Sequence, residues 1–261
     1  MKPSQLLVLA AIVFSCRSAP EDRFAKLFSG EAKVIDLTHA LSSKSPYWPN
    51  KNGNPFKYDT LFAQPSGAPG MGQFTTPEHN GTHLDAPIHS ADHQPSVDLL
   101  EAKDLFGPAV VIDVEAKCAA DADYVLSVQD ILDWEKVNGQ MPKRAIVIMF
   151  TGWSRKWTDY QAYKNEDVYG MMHFPGFSAE AAKFLISERS ILGIGIDNFS
   201  VDAGAAQGFP VHGIVNGAGK FHLENVAAVH DLPPAGAYVI TAPIKIEGGS
   251  GGPVRIYAVV P

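Results

Sequence analysis

Short apolar runs alternate with helical patterns through most of the chain, which predicts a single domain of mixed α/β class. Apolar and β-branched residues dominate the predicted strands at 34–37, 109–114, 145–150 and 191–196. Ser127 and Ser178 each precede a stretch in which apolar residues follow a helical spacing, so both are predicted helix N-caps. Two further strand patterns, 238–246 and 254–260, flank a glycine-rich turn at 248–252 and are expected to pair as a hairpin.

Loop composition breaks this alternation in the N-terminal third. Serine, asparagine, proline and glycine dominate residues 42–56, and proline and glycine recur through 65–72. A polar lead-in with a short helical pattern covers residues 20–33. The histidine-rich stretch at 79–93 follows these loops, which flank it on one side.

The bulk composition is that of a soluble globular protein. A length of 261 residues suits one domain with an ample core. The formal net charge is −7, and no run of lysine or arginine occurs. This balance argues against nucleic acid or an anionic membrane surface as a partner.

The N-terminus has the pattern of a secretory signal peptide. Lys2 supplies a positive charge ahead of an apolar stretch at 6–14, which is too short to span a bilayer. We predict that residues 1–19 form the signal and that residues 20–261 form the mature, secreted or otherwise extracytoplasmic domain. Lipoprotein processing at Cys16 is an alternative that Phe14 fits poorly, and a buried N-terminal strand is another.

Four residues between positions 79 and 89 form a candidate metal site. His79 and His83 lie four positions apart, Asp85 follows two positions later, and His89 lies four beyond it. Two imidazoles and a carboxylate can bind one divalent cation and leave coordination positions open, which is typical of a catalytic metal. His89 is then near enough to transfer protons.

A simpler interpretation is that these histidines only satisfy loop carbonyls. Clustering argues against it, because four of the nine histidines fall within fifteen residues, together with Asp85 and Asp92. His93, the last of the four, is expected to be a solvated loop residue. His212 and Glu224 lie beside glycine-rich turns and could complete the site from elsewhere in the chain. Their spacing alone leaves open that they are ordinary surface residues.

The His-x-x-x-His-x-Asp string occurs together with several further motifs. These are Asp36-Leu37-Thr38-His39, Pro46-Tyr47-Trp48-Pro49, residues 107–114, Phe174-Pro175-Gly176-Phe177, residues 195–202 and the pair His212 and Glu224. With this set the chain resembles, from about residue 34 to its C-terminus, the cyclase family of metal-dependent hydrolases. That family includes bacterial-type kynurenine formamidases and isatin hydrolases.

The resemblance implies an α/β fold of the swivelling β/β/α cyclase type, with a mixed sheet in a single domain, and assembly as a homodimer or higher homo-oligomer. It implies that His79, His83 and Asp85 bind a divalent metal, Zn²⁺ or Mn²⁺. In the formamidases the counterpart of Asp85 bridges to a second zinc, which the matches of His212 and Glu224 also hold. Isatin hydrolases look more like single-manganese enzymes, so one ion or two remain open.

The family match assigns His89 as proton donor and acceptor and places Trp48 in the substrate pocket. The signal-like N-terminus and the long aromatic-rich stretch 152–169 depart from the formamidases and favour either the isatin-hydrolase-like branch or another, secreted branch of the family. Trp153 and Trp157 in that stretch are further candidates for an aromatic pocket wall.

We therefore predict a metal-dependent hydrolase that cleaves a C–N amide bond of a small aromatic, tryptophan-derived substrate. An N-formylkynurenine-type arylamide and an isatin-type lactam are the two expected substrates. The competing hypothesis is a secreted metal- or ligand-binding protein of the same fold without turnover. A serine nucleophile is disfavoured, because the chain has no Gly-x-Ser-x-Gly elbow.

Overall fold

The computed structural model describes residues 23–62 and 69–260. The predicted signal peptide at 1–19, including Cys16, lies outside the described residues. None of the helices within the described ranges is long and apolar enough to cross a membrane.

Twelve strands and six helices make up the described chain. The strands are β1 Lys33–Asp36, β2 Lys57–Phe62, β3 Met71–Thr75, β4 His83–Asp85, β5 Phe106–Asp113, β6 Val125–Leu126, β7 Ile146–Phe150, β8 Gly176–Phe177, β9 Gly193–Ile196, β10 Phe221–Glu224, β11 Tyr238–Pro243 and β12 Gly251–Val260. The helices are α1 Arg23–Ser29, α2 Glu115–Ala120, α3 Val128–Asn138, α4 Tyr160–Lys164, α5 Ala179–Arg189 and α6 Pro210–Gly217.

Seven strands close into a barrel in the order β12-β11-β5-β7-β9-β10-β4, with β4 pairing back onto β12. Strands β5, β7, β9 and β10 run parallel, and the other neighbours run antiparallel, which makes the sheet mixed. The long strand β12 makes the closure possible. Its first three residues pair with β4 and its last four pair with β1, which lies outside the ring.

Successive residues of a strand point to opposite faces, so the barrel strands contribute to two apolar layers, one inside the barrel and one outside it. The inner layer consists of apolar side chains from neighbouring strands, among them Leu84, Val111, Ile148 and Leu223. The alternate positions of β5, β7 and β9 pack against α3, α5 and α6 on the outside. The predicted mixed α/β single domain is confirmed.

Most predicted elements are found close to the expected positions. Ser127 caps α3 in a capping box with Asp130, and Ser178 caps α5 by accepting a hydrogen bond from the Ala181 N–H. β11 and β12 pair antiparallel, as expected from the hairpin pattern.

The glycine-rich turn at 248–252 was predicted too long, since Gly251 and Gly252 belong to β12. A Cβ at Gly251 would lie 2.5 Å from the Leu84 carbonyl oxygen, so the seam with β4 accepts no side chain there. The antiparallel pair β2–β3 was not predicted at all. Its described side chains are mostly exposed, so it carries no buried apolar run to signal a strand.

Leu223→Ala should destabilise the metal-free protein by about 2–5 kcal/mol, because Leu223 is fully buried inside the barrel and its truncation leaves a cavity. Leu99→Ala is the matched control, since 65% of Leu99 is exposed and little should be lost there. Urea unfolding in chelator measures both. Equal loss in the two variants would contradict the assignment of the interior core.

Candidate metal centre

Four polar side chains lie on one face of the antiparallel pair β4–β10. The register sets His83 opposite Glu224 and Asp85 opposite His222. Residues two apart in a strand share a face, so both pairs point away from the barrel interior toward α6. All four are buried, although strand interiors of this kind normally carry apolar residues.

His79 approaches Asp85 from the loop ahead of β4. Its Nδ1 lies 2.5 Å from Asp85 Oδ1, and its Nε2 lies 2.9 Å from Ser250 Oγ. The Ser250 hydroxyl in turn donates to Glu78 at 2.5 Å. Gly251 leaves room for the ring, since a Cβ there would lie 2.7 Å from His79 Cε1.

His83 presents one defined nitrogen to the cluster. Its Nδ1 lies 2.9 Å from the Gly81 carbonyl oxygen, to which it donates, and this directs Nε2 toward the cluster. His83 Nε2 lies 3.2 Å from Asp85 Oδ1 and 3.3 Å from Glu224 Oε2. A backbone carbonyl behind a ring nitrogen is a usual way to orient a metal-binding histidine.

Asp202 orients His212 in the same manner from the start of α6. The carboxylate accepts the backbone N–H groups of Val211 and His212 at 2.8 and 3.1 Å, which satisfies free donors of the helix N-terminus. Its Oδ2 also lies 2.6 Å from His212 Nδ1. His212 Nε2 is thereby directed into the cluster, 3.5 Å from both Asp85 Oδ2 and Glu224 Oε1.

His222 is a site residue that the sequence reasoning missed. It is fully buried, and neither of its ring nitrogens has a hydrogen-bond partner among the described residues. Its Nδ1 lies 3.2 Å from Asp85 Oδ2 and 3.9 Å from Glu224 Oε1. His222 lies two positions before Glu224, and this spacing places both side chains on the same face of a strand. No strand was predicted there from the sequence, so the spacing was not recognised.

Asn225 fixes the end of β10 directly after Glu224. It adopts a left-handed conformation with φ 54°, which asparagine tolerates better than most residues. Its Nδ2 donates to the Gly81 carbonyl oxygen at 2.9 Å, and its Oδ1 accepts from Tyr163 Oη at 2.7 Å. The loop that carries His79 and the strand that carries Glu224 are therefore held together by hydrogen bonds.

The buried carboxylates make the cluster strongly attractive to positive charge. Although burial opposes the charged imidazolium, Asp85 and Glu224 raise the pKa of His83 to about 10. Burial likewise opposes a charged His212, yet hydrogen bonds to Asp202 and Asp85 raise its pKa to about 10. Although burial favours a protonated Asp85, His222 and His83 hold its pKa well below the usual range.

These residues fit a divalent cation. Two groups have ligand atoms within 4.8 Å of one another: His79, His83 and Asp85, and Asp85, His212, His222 and Glu224. Imidazole nitrogens and carboxylate oxygens are ligands that suit Zn²⁺ and Mn²⁺. His222 belongs to the second group, and neither of its ring nitrogens has a hydrogen-bond partner among the described residues.

His89 lies beside the cluster in the turn Pro87–His89. Its Nε2 is 3.7 Å from Asp85 Oδ2, and its ring centroid is 3.9 Å from that of His79. Burial and the neighbouring imidazoles lower its pKa to about 4, although Asp85 opposes this. His89 is therefore neutral at neutral pH and can accept a proton.

A cavity of about 290 Å³ opens above the cluster. Trp48, Phe199 and Phe209 form its aromatic wall, with the Trp48 ring centroid 6.1 Å from each phenylalanine ring. His79, His83, Asp85 and His89 line the same cavity. An aromatic wall facing a polar floor is suited to a small aromatic molecule with one polar group.

Most of the site residues predicted from the sequence line one cavity. They are His79, His83, Asp85, His89, His212, Glu224 and Trp48. His93 is exposed, as expected. Trp153 and Trp157 do not line this cavity: Trp153 is buried and donates to the Tyr163 carbonyl oxygen, and Trp157 stacks on His39. The pocket-wall interpretation of these two residues was wrong, because they pack into the aromatic core that lies behind Phe199 and do not face the cavity.

This chain is similar in sequence and fold to several known proteins. The family model described as putative cyclase matches residues 35–203. An isatin hydrolase of Roseibium aggregatum is 35% identical over 95% of this chain and 99% of its own length. A kynurenine formamidase of Salinibacter ruber is 24% identical over 85% of this chain and 95% of its own. The crystal structure of an isatin hydrolase bound to the product analogue thioisatinate is 34% identical, with a TM-score of 0.85, and covers 91% of this chain and 96% of that one. The predicted cyclase-type fold is confirmed.

Asp202→Asn should weaken binding of divalent metal by about 10- to 100-fold, because the neutral amide no longer fixes the Nδ1–H tautomer of His212. Chelator competition with Zn²⁺ or Mn²⁺ measures the affinity. Asp167→Asn is the matched control, since Asp167 accepts backbone N–H bonds in an exposed loop. Unchanged affinity in Asp202→Asn would show that His212 does not depend on this carboxylate.

Proposed function

Since this chain belongs to the cyclase family and is one of its hydrolytic enzymes, we propose that it cleaves the C–N amide bond of a small aromatic, tryptophan-derived compound with the help of a divalent metal ion. The observation that carries the proposal is the position of His79, His83 and Asp85 on the floor of an aromatic cavity beside His89. A three-residue ligand set leaves room for water and substrate.

An isatin-type lactam is the first substrate that we propose. The relative named isatin hydrolase shares 35% of its residues with this chain over nearly the full length of both. An N-formylkynurenine-type arylamide is the second candidate, supported by the kynurenine formamidase at 24% identity. Both substrates combine one benzene ring with one amide carbonyl, and this matches an aromatic wall facing a polar floor.

His79 Nδ1, His83 Nε2 and Asp85 would hold the ion. When bound, a divalent ion would lower the pKa of a water molecule and polarise the amide carbonyl. Trp48, Phe199 and Phe209 bind the aromatic ring and exclude water from that side of the cavity. They direct the carbonyl toward the polar floor.

His89 moves the protons that hydrolysis requires. Water adds across the C–N bond, so its oxygen goes to the carbonyl carbon and a proton goes to the nitrogen. His89 is neutral at neutral pH, accepts the proton from water, and returns it to the leaving nitrogen. Its position beside Asp85 and His79 places it within reach of both steps.

We also propose that the mature chain acts outside the cytoplasm and as a homo-oligomer. The first proposal is supported by the N-terminal sequence pattern, and the second by the family resemblance.

Purified protein prepared without chelator tests the main proposal. Elemental analysis gives the metal content, and the same sample is assayed with isatin and with N-formylkynurenine. Turnover of either compound that disappears with chelator and returns with Zn²⁺ or Mn²⁺ supports a metal-dependent hydrolase. Bound metal without hydrolysis of either aromatic amide would favour the binding-protein hypothesis.

His89→Ala should lower kcat by about 10²- to 10⁴-fold and leave the metal content unchanged, because His89 transfers protons and is not expected to bind the ion. His93→Asn is the matched control: this exposed histidine lies four residues further on with φ 64°, which asparagine tolerates. Both activity and metal content should be kept there. Parallel loss of metal and activity in His89→Ala would contradict the proton-transfer role.

A further inference from the structure

We propose that His222 is a metal ligand, which closes a second cation position together with Asp85, His212 and Glu224. The inference rests on the divalent metal of the proposed function, but not on the identity of the substrate. His222 stands outside the His-x-x-x-His-x-Asp string and outside the His212 and Glu224 pair.

His222 is fully buried without a hydrogen bond from either ring nitrogen to the described residues, although Asp85 and Glu224 face its Nδ1 at 3.2 and 3.9 Å. Buried polar groups are almost always paired, because an unpaired one loses its hydrogen bonds to water without replacement. A cation on Nδ1 would satisfy the ring atom that points into the cluster.

The carboxylate oxygens divide between two positions. Asp85 Oδ1 faces His79 Nδ1 and His83 Nε2 at 2.5 and 3.2 Å. Asp85 Oδ2 faces His212 Nε2 and His222 Nδ1 at 3.5 and 3.2 Å. One carboxylate therefore presents a separate oxygen to each pair of imidazoles.

Glu224 belongs to the second position through its Oε1, which lies 3.5 Å from His212 Nε2 and 3.9 Å from His222 Nδ1. Its Oε2 lies 3.3 Å from His83 Nε2, but Glu224 is not part of the group formed by His79, His83 and Asp85. Ligand atoms at the corners of a tetrahedron around Zn²⁺ are about 3.4 Å apart, given metal–ligand distances near 2.1 Å. The four measured separations that involve Asp85 Oδ2 and Glu224 Oε1 range from 3.2 to 3.9 Å, close to this spacing.

The two positions would serve different purposes. Four protein ligands form a closed set, which is typical of ions that stabilise structure, whereas three leave positions open for chemistry. The closed position would fix the orientation of Asp85 and Glu224 and so shape the open position that contains His79 and His83. His222 is then a positioning residue for the reaction and a ligand for the second ion.

Metal titration of the full chain tests the proposal without any substrate. Wild-type protein and His222→Leu are stripped with chelator and reloaded with Zn²⁺ or Co²⁺. Ions per chain are then counted by elemental analysis, and affinities are measured by chelator competition. The visible spectrum of bound Co²⁺ reports the coordination number of each ion.

We expect wild-type protein to bind about two ions per chain and His222→Leu to lose one of them, with an affinity for the second ion lowered roughly 100-fold or more. The Co²⁺ absorption of the four-coordinate position should disappear with it. His39→Leu is the matched control, because His39 Nε2 is also buried without a partner among the described residues but lies outside the cluster. This control should keep both ions.

Equal ion counts and equal affinities in wild type and His222→Leu would overturn the proposal, whatever the outcome of the substrate assays. Leucine removes two polar atoms that lack hydrogen bonds, but it also removes an imidazole that faces the buried Asp85 carboxylate, so the stripped variant should be less stable than stripped wild type. If His222→Leu fails to fold, the ions are counted in His222→Asn, which keeps a polar side chain. Failure of both isatin and N-formylkynurenine hydrolysis with a normal ion count would instead reject only the substrate assignment.

Discussion

The burial of two carboxylates, Asp85 and Glu224, on paired strands is the constraint on which the rest of this structure depends. Unpaired buried charges are strongly destabilising, so each must face positive charge or a cation. The chain meets this need with imidazoles: His83 and His222 from the same two strands, and His212 from α6. The strand pairing therefore brings together a charge cluster whose chemistry calls for a divalent ion.

The barrel holds the strands that carry this cluster in fixed positions. β4 is only three residues long, yet it is hydrogen-bonded on both sides, to β10 and to the start of β12. The absence of a side chain at Gly251 lets β12 approach β4 and leaves space for His79. Leu84 and Leu223 anchor the same strands in the interior core. A site on such strands keeps its geometry better than one on a free loop.

Asp202 links the helical layer to the cluster, since it binds both the N-terminus of α6 and the ring of His212. The cavity wall has a different origin. Trp48 comes from a proline-bounded loop, and Phe199 from the turn that follows β9. Most candidate ligands thus lie on strands and a helix, whereas His79 and the aromatic wall residues Trp48 and Phe199 lie on loops and turns.

The sequence by itself determined the α/β class, the capped helices α3 and α5, and the local string of candidate metal ligands His79, His83 and Asp85. Each of these is encoded in short-range spacing. The tertiary structure decided which distant residues complete the site. His222 and Glu224 reach Asp85 and His83 only through the antiparallel register of β4 and β10, some 140 residues apart in the chain. Trp153 and Trp157 were candidates for the pocket wall in the sequence, but they pack in the core behind Phe199, because composition does not specify whether an aromatic side chain lines a cavity or packs behind it.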